Sequence, residues 1–126
     1  MPGGDGFNSS QRASIDKAIR DAETTCRYEF SVYVGRAEGD PRAYATRLLG
    51  SLVKPDCSVQ ILLDPVGRAL EVLTGSEVRR NLTDDEVDLV VAQMRADLAE
   101  GDLVEGLVRG INQLAAYARR PGTLHA

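Results

Sequence analysis

Residues 57–86 restrict the fold more than any other stretch. Val59, Ile61 and Leu63 alternate with Ser58 and Gln60, the period-two pattern of a half-buried strand. Leu62 interrupts the polar set, so the second face is expected to be partly covered too. Asp64-Pro65-Val66-Gly67 follows. Aspartate suits the first position of a type I turn, proline pre-sets the backbone of the second, and glycine suits the fourth or a left-handed bulge position. Leu70 and Val72 then alternate with Ala69 and Glu71 as far as Thr74-Gly75. Strands over 58–63 and 68–74 are therefore predicted to pair antiparallel.

Past Gly75 the period changes. Leu82-Thr83-Asp84-Asp85-Glu86 sets a threonine three residues before a glutamate, ahead of Val87, Val90, Val91, Met94 and Leu98 at helical spacing. Thr83 as N-cap and Glu86 as N3 make a capping box, and Asp84 and Asp85 suit the positive end of the helix dipole. The acidic cluster reads first as a helix start and second as a metal or substrate site beside the sheet.

The flanking segments complete a sheet. Ile15, Ala18, Ile19 and Ala22 form one stripe of a first helix over 10–25, capped by Ser9 or Ser10. Tyr28, Phe30, Val32 and Val34 alternate with polar neighbours in a strand over 28–34 that ends at Gly35. Asp40-Pro41 starts a helix over 41–53, with Tyr44, Ala45, Leu48 and Leu52 buried, and Pro55 ends the helical region. This strand–helix–strand unit has a crossover long enough for parallel strands. Gly101-Asp102 separates the long helix from a last one carrying Leu103, Leu107, Ile111 and Leu114, in which Gly106 and Gly110 permit a close approach. Arg119-Arg120 and Pro121-Gly122 end it. The expected fold is α/β: a small mixed sheet, a βαβ unit plus an antiparallel hairpin strand, sandwiched by about four helices.

At 126 residues the chain is one domain, expected over 9–120, with a disordered N-terminal segment at 1–8 and a tail at 121–126. The net charge of −4 argues against non-specific nucleic-acid binding and against an anionic membrane surface. No apolar run reaches the ~18 residues of a membrane span, and the first residues have neither a basic region nor an apolar core. The expectation is a soluble, cytoplasmic protein that does not insert into membranes.

The order of elements resembles the TPM domain, the family of thylakoid-lumen photosystem II repair proteins and the levamisole-receptor modulator. Three motifs carry the resemblance: Ile61-Leu62-Leu63-Asp64-Pro65-Val66-Gly67-Arg68; Leu73-Thr74-Gly75 leading to Leu82-Thr83-Asp84; and Gly101-Asp102 before Gly106 and Gly110. The match covers roughly residues 10–119, and the chain also resembles an uncharacterised actinobacterial family that looks like a trimmed relative of that domain. The resemblance implies an α/β sandwich, acid phosphatase activity as reported for a plant relative, and calcium binding. The chain departs from the family in lacking the usual signal or anchor, and has Thr25-Cys26-Arg27 where a threonine–glycine is usual.

The chemistry-bearing residues are few. Asp40 and Asp64 follow the carboxyl ends of the parallel strands, where open α/β sheets bind ligands. If they meet, a calcium or magnesium site and a metal-assisted phosphatase follow, with Asp64 and Asp84 as catalytic candidates and Asp84 and Asp85 as further metal candidates, although the antiparallel third strand is expected to carry the Thr83–Glu86 cluster toward the opposite sheet end. The plainer reading makes Asp40 a cap and Asp64 a turn residue. His125, the lone histidine, sits in the tail, and no Ser–His–Asp or Cys–His set can be drawn without it. Cys26 and Cys57 each precede a strand of the βαβ unit, so they form either a redox-sensitive pair or two reduced thiols. Arg79-Arg80, with Arg68, suits an anion or an acidic partner, or is a solvated patch. The first expectation is a domain without catalysis or cofactor that binds a protein partner; the second is the phosphatase; the third is the redox switch.

Overall fold

The computed structural model describes residues 6–119. Residues 1–5 and 120–126 lie outside the described residues, and with them most of the expected disordered segment, the expected tail and His125.

Helix α1 runs Ser9–Cys26. Its cap is Asn8, one residue before the expected serines: the Asn8 side chain accepts from the Gln11 N–H at 2.8 Å, and the Gln11 side chain accepts from the Asn8 N–H at 2.9 Å. Phe7, within the stretch expected to be disordered, is buried in the core. Arg27 closes the helix in the left-handed region, with φ 69°. Strand β1 follows at Glu29–Val34, helix α2 at Pro41–Gly50, strand β2 at Ser58–Asp64 and strand β3 at Ala69–Thr74. Helices α3, Asp84–Ala99, and α4, Leu103–Ala118, complete the chain, and short 3-10 turns occupy Pro55–Cys57 and Val78–Arg80. Helix α2 ends three residues before the expected 53; beyond Gly50 the chain turns toward the Pro55 corner, and Val53 is exposed.

The sheet has three strands in the order β1-β2-β3. β1 pairs parallel with β2, matching Phe30 to Val59 and Val34 to Leu63. β2 pairs antiparallel with β3, matching Ile61 to Val72 and Asp64 to Ala69. β2 is buried along its whole length, as a central strand covered on both faces must be. One face carries Phe30, Val59, Ile61, Leu63, Leu70 and Val72 and packs on α1, α3 and α4 in the main core. The other carries Leu62 and Leu73 under Ala45 of α2, with Tyr33, Tyr44 and Leu48 around them. Each large apolar side chain fully buried this way stabilises the fold by about 1.5–3 kcal/mol before chain entropy is counted.

Two glycine sites hold the layers together. A Cβ on Gly110 would stand 2.6 Å from Cγ of Met94, so the bare backbone lets α4 settle against α3. At Gly75 a Cβ would meet the backbone carbonyls of Pro55 and Asp56 far inside contact distance, so the end of β3 passes directly under the Pro55 corner.

A candidate groove at the open edge of the sheet

The Asp64 corner is a fully bonded turn. One carboxylate oxygen accepts from the Gly67 N–H at 2.8 Å and the other from the Ala37 N–H at 3.0 Å. Asp64 is only 4% exposed. The Gly67 bond, then the Ala37 bond, hold its carboxyl below the ordinary carboxylate range, against the opposing effect of burial. The left-handed residue of the turn is Arg68, φ 56°, and not the glycine. Gly67 is needed for space: a Cβ there would stand 2.7 Å from an Asp64 carboxylate oxygen. Beside this corner the Tyr33 hydroxyl donates to the Arg36 carbonyl at 2.8 Å, and its ring meets Tyr44 edge-on at 5.5 Å. Hydrogen bonding to Tyr44 pushes the Tyr33 phenol above its ordinary value.

The other acidic candidates have local roles. Asp40 caps α2, accepting from the Ala43 N–H at 2.9 Å, and is exposed. Thr83 and Glu86 close the capping box of α3, and Asp84 and Asp85 lie exposed in its first turn. Because β3 runs back along β2, Asp64 sits at the hairpin end of the sheet, opposite Ala69, whereas Asp84 borders the Thr74 end. Among the described residues, no three of His, Cys, Asp or Glu gather as a metal site requires. Cys26 and Cys57 are both thiols, the first buried and the second half-buried. Of the basic group, Arg80 faces Glu77 at 3.4 Å on the surface, Arg79 turns inward to the sheet, and Arg68 borders a different hollow.

A groove of about 460 Å³ has β3 from Leu70 to Thr74 as its floor. Since the Gly75 N–H bonds the Ser58 carbonyl, the odd-numbered residues of β3 face β2, and Leu70, Val72 and Thr74 turn their backbone groups outward. Arg95 donates to the Leu70 carbonyl at 3.3 Å, and Arg79 donates to the Thr74 carbonyl. On one wall stand Asp84, Val87, Asp88, Val91 and Arg95, three and four residues apart on one stripe of α3. On the other stands Arg42 of α2, paired with Glu71 at 2.9 Å. Sequence reasoning missed Arg42 and Arg95, because a single arginine on the polar side of an amphipathic helix carries the same signal as a solvated one. A second hollow of about 460 Å³, lined by Leu63, Leu98 and Leu103 with Arg68, shares Leu70 and Arg95 with the groove.

Fold and groove together define a small α/β sandwich domain in which the β3 edge of the sheet borders a cleft lined by both arginines and carboxylates. The chain belongs to the family described as Domain of unknown function (DUF5130), whose model matches residues 3–115. Uncharacterized proteins from two strains of Mycobacterium tuberculosis are 31% identical over 110 residues, covering 87% of this chain and 66% of theirs. The chain thus spans slightly less than two thirds of the length of these curated relatives. Among solved structures, the BA42 protein of the psychrophilic bacterium Bizionia argentinensis aligns with a TM-score of 0.80 at 20% identity, covering 89% of this chain and 81% of that one. The N-terminal domain of the cg2496 protein from Corynebacterium glutamicum aligns at 0.73 and 18% identity, covering 89% and 74%. At these identities the likeness is one of fold. No helix among the described residues is long and apolar enough to cross a membrane.

Proposed function

We propose that this chain is a TPM-like module of the cytoplasm that binds a protein partner through the β3 groove and performs no catalysis of its own. The observation that carries the reading is the outward edge of β3, which pairs with no further strand among the described residues and lines the floor of a groove. The disposition of the carboxylates supports it. Asp64 is bonded on both oxygens by backbone N–H groups, Asp40 caps α2, and Asp84 and Asp85 stand at the dipole end of a capped helix.

One observation favours a metal-assisted phosphatase as a second reading: Asp84 and Asp88 share the groove with Arg79 and Arg95, so calcium or magnesium on the carboxylates would face a phosphate on the arginines. Photo-crosslinking separates the two when a photoreactive residue replaces either Asp88 in the groove or Lys17 on the exposed side of α1. A partner captured from position 88 and not from 17 supports the interaction module; the same proteins captured from both positions overturn it. Metal-dependent hydrolysis of p-nitrophenyl phosphate that disappears in Asp84→Asn establishes the phosphatase instead.

A further inference from the structure

We infer that the groove takes an extended acidic segment of a partner protein, added as a fourth strand beside β3 and centred on Val72. This rests on the interaction reading above and names the partner's chemistry and its mode of attachment.

The register supplies the first half of the argument. Leu70, Val72 and Thr74 present outward backbone groups, and the carbonyls of Leu70 and Thr74 are taken by Arg95 and Arg79. Among the described residues nothing bonds the outward N–H and C=O of Val72. An added strand exchanges two hydrogen bonds with such a residue, and does so at the base of a cleft between α2 and α3, where water competes less than on an open face.

Charge supplies the second half. Arg79 and Arg95 both donate to backbone carbonyls, and among the described residues neither closes an ion pair. Asp84 and Asp88 stand on the same wall without pairing with them, and Glu71 is occupied by Arg42. The two guanidiniums therefore mark the ends of the open edge with positive charge that has no carboxylate partner. The carbonyls they hold are four residues apart, about 13 Å along a strand. A strand with carboxylates two residues either side of its centre meets both guanidiniums. Its central side chain then lies on the same side as that of Val72, toward Val87 and Val91 of α3. The recognised pattern is acidic–any–apolar–any–acidic. A second copy of this chain is the wrong occupant: pairing two β3 edges antiparallel about Val72 sets Arg95 of one against Arg79 of the other. Like charges opposed across a strand pair destabilise it, and this also guards the edge against self-association.

The probe is a fluorescein-labelled peptide of about nine residues with glutamates flanking a Thr-Val-Thr centre, titrated into the full chain with amide NMR and anisotropy as readouts. The expected result is a shift and slowed exchange of the Val72 amide, binding that weakens as salt rises, and loss of binding when proline replaces the peptide's central valine. Arg95→Glu, at an exposed position, weakens binding roughly ten- to hundredfold, and lysine in place of the facing glutamate restores it. Should that variant fail to fold, the mapping of the Val72 amide in the unaltered chain decides. Binding that leaves the Val72 amide unperturbed, or that ignores Arg95→Glu, overturns strand addition while leaving an interaction module in place. Absence of peptide binding overturns it too; a persistent cross-link from position 88 then shows that only the mode of attachment was wrong, and loss of that cross-link removes both.

Discussion

Replacing Asp64 by asparagine tests whether the carboxylate at the hairpin corner is structural or chemical. Both oxygens accept backbone N–H groups, from Gly67 at 2.8 Å and Ala37 at 3.0 Å, and so tie the β2–β3 turn to the loop after β1. Asparagine retains one acceptor oxygen and turns an NH₂ toward the other donor. One bond to a charged group, about 1.5–3 kcal/mol, is lost, the other falls to about 1 kcal/mol, and a donor faces a donor in a nearly buried site. The expected destabilisation is about 2–4 kcal/mol. Near 4 °C per kcal/mol for a chain of 126 residues, thermal unfolding at pH 7 should fall by about 8–15 °C. The pH dependence supplies a second check. The Asp64 carboxyl is held below its ordinary value, so its contribution is complete above the unfolded-state value of about 3.9 and is lost as pH falls through the lower folded-state value. The gap between the native chain and Asp64→Asn must therefore narrow in acid. A variant melting within about 2 °C of the native chain at pH 7, or a gap that widens toward pH 3, refutes the argument.

Other substitutions probe the rest of the frame. Gly75→Ala pushes a methyl into the backbone carbonyls of Pro55 and Asp56, which cannot yield as a side chain would; a loss of about 3 kcal/mol or more is expected from urea unfolding, and a neutral effect would mean the Pro55 corner moves freely. Thr83→Ala removes the acceptor for the Glu86 N–H and should cost about 1 kcal/mol, whereas Thr83→Ser should retain most of it. Thiol labelling of the native protein should modify half-buried Cys57 quickly and Cys26, 1% exposed, only on unfolding. Protein isolated without reductant that shows no reactive thiol even when unfolded would support the redox reading.

Most of the frame was legible because its signals are local. The alternation of Val59, Ile61 and Leu63, the Asp64–Gly67 turn, Asp40 before Pro41 and the Thr83–Glu86 box each act within a few residues, and each produced the element read from it. Asn8 was passed over because the serines behind it are equally good caps, and only the packing of Phe7 against the core and the Asn8–Gln11 box places the helix start. The groove was hardly legible. Arg79 looked like half of an arginine pair, yet its neighbour Arg80 turns to Glu77 on the surface. Arg42 and Arg95 lie 53 residues apart in the chain and meet one cleft only through the packing of α2 and α3 about β3.

The sequence by itself determined which segments are strands and helices, where α2 and α3 start, and that the third strand turns back on the second, because period, capping and turn chemistry are set by neighbours along the chain. Tertiary structure alone decided that both oxygens of Asp64 are taken by backbone N–H groups, that Gly67 makes room for a carboxylate, and that the β3 edge lies between two arginines. Those outcomes depend on which residues distant in sequence the layers bring into van der Waals and hydrogen-bonding range, and no local pattern encodes that.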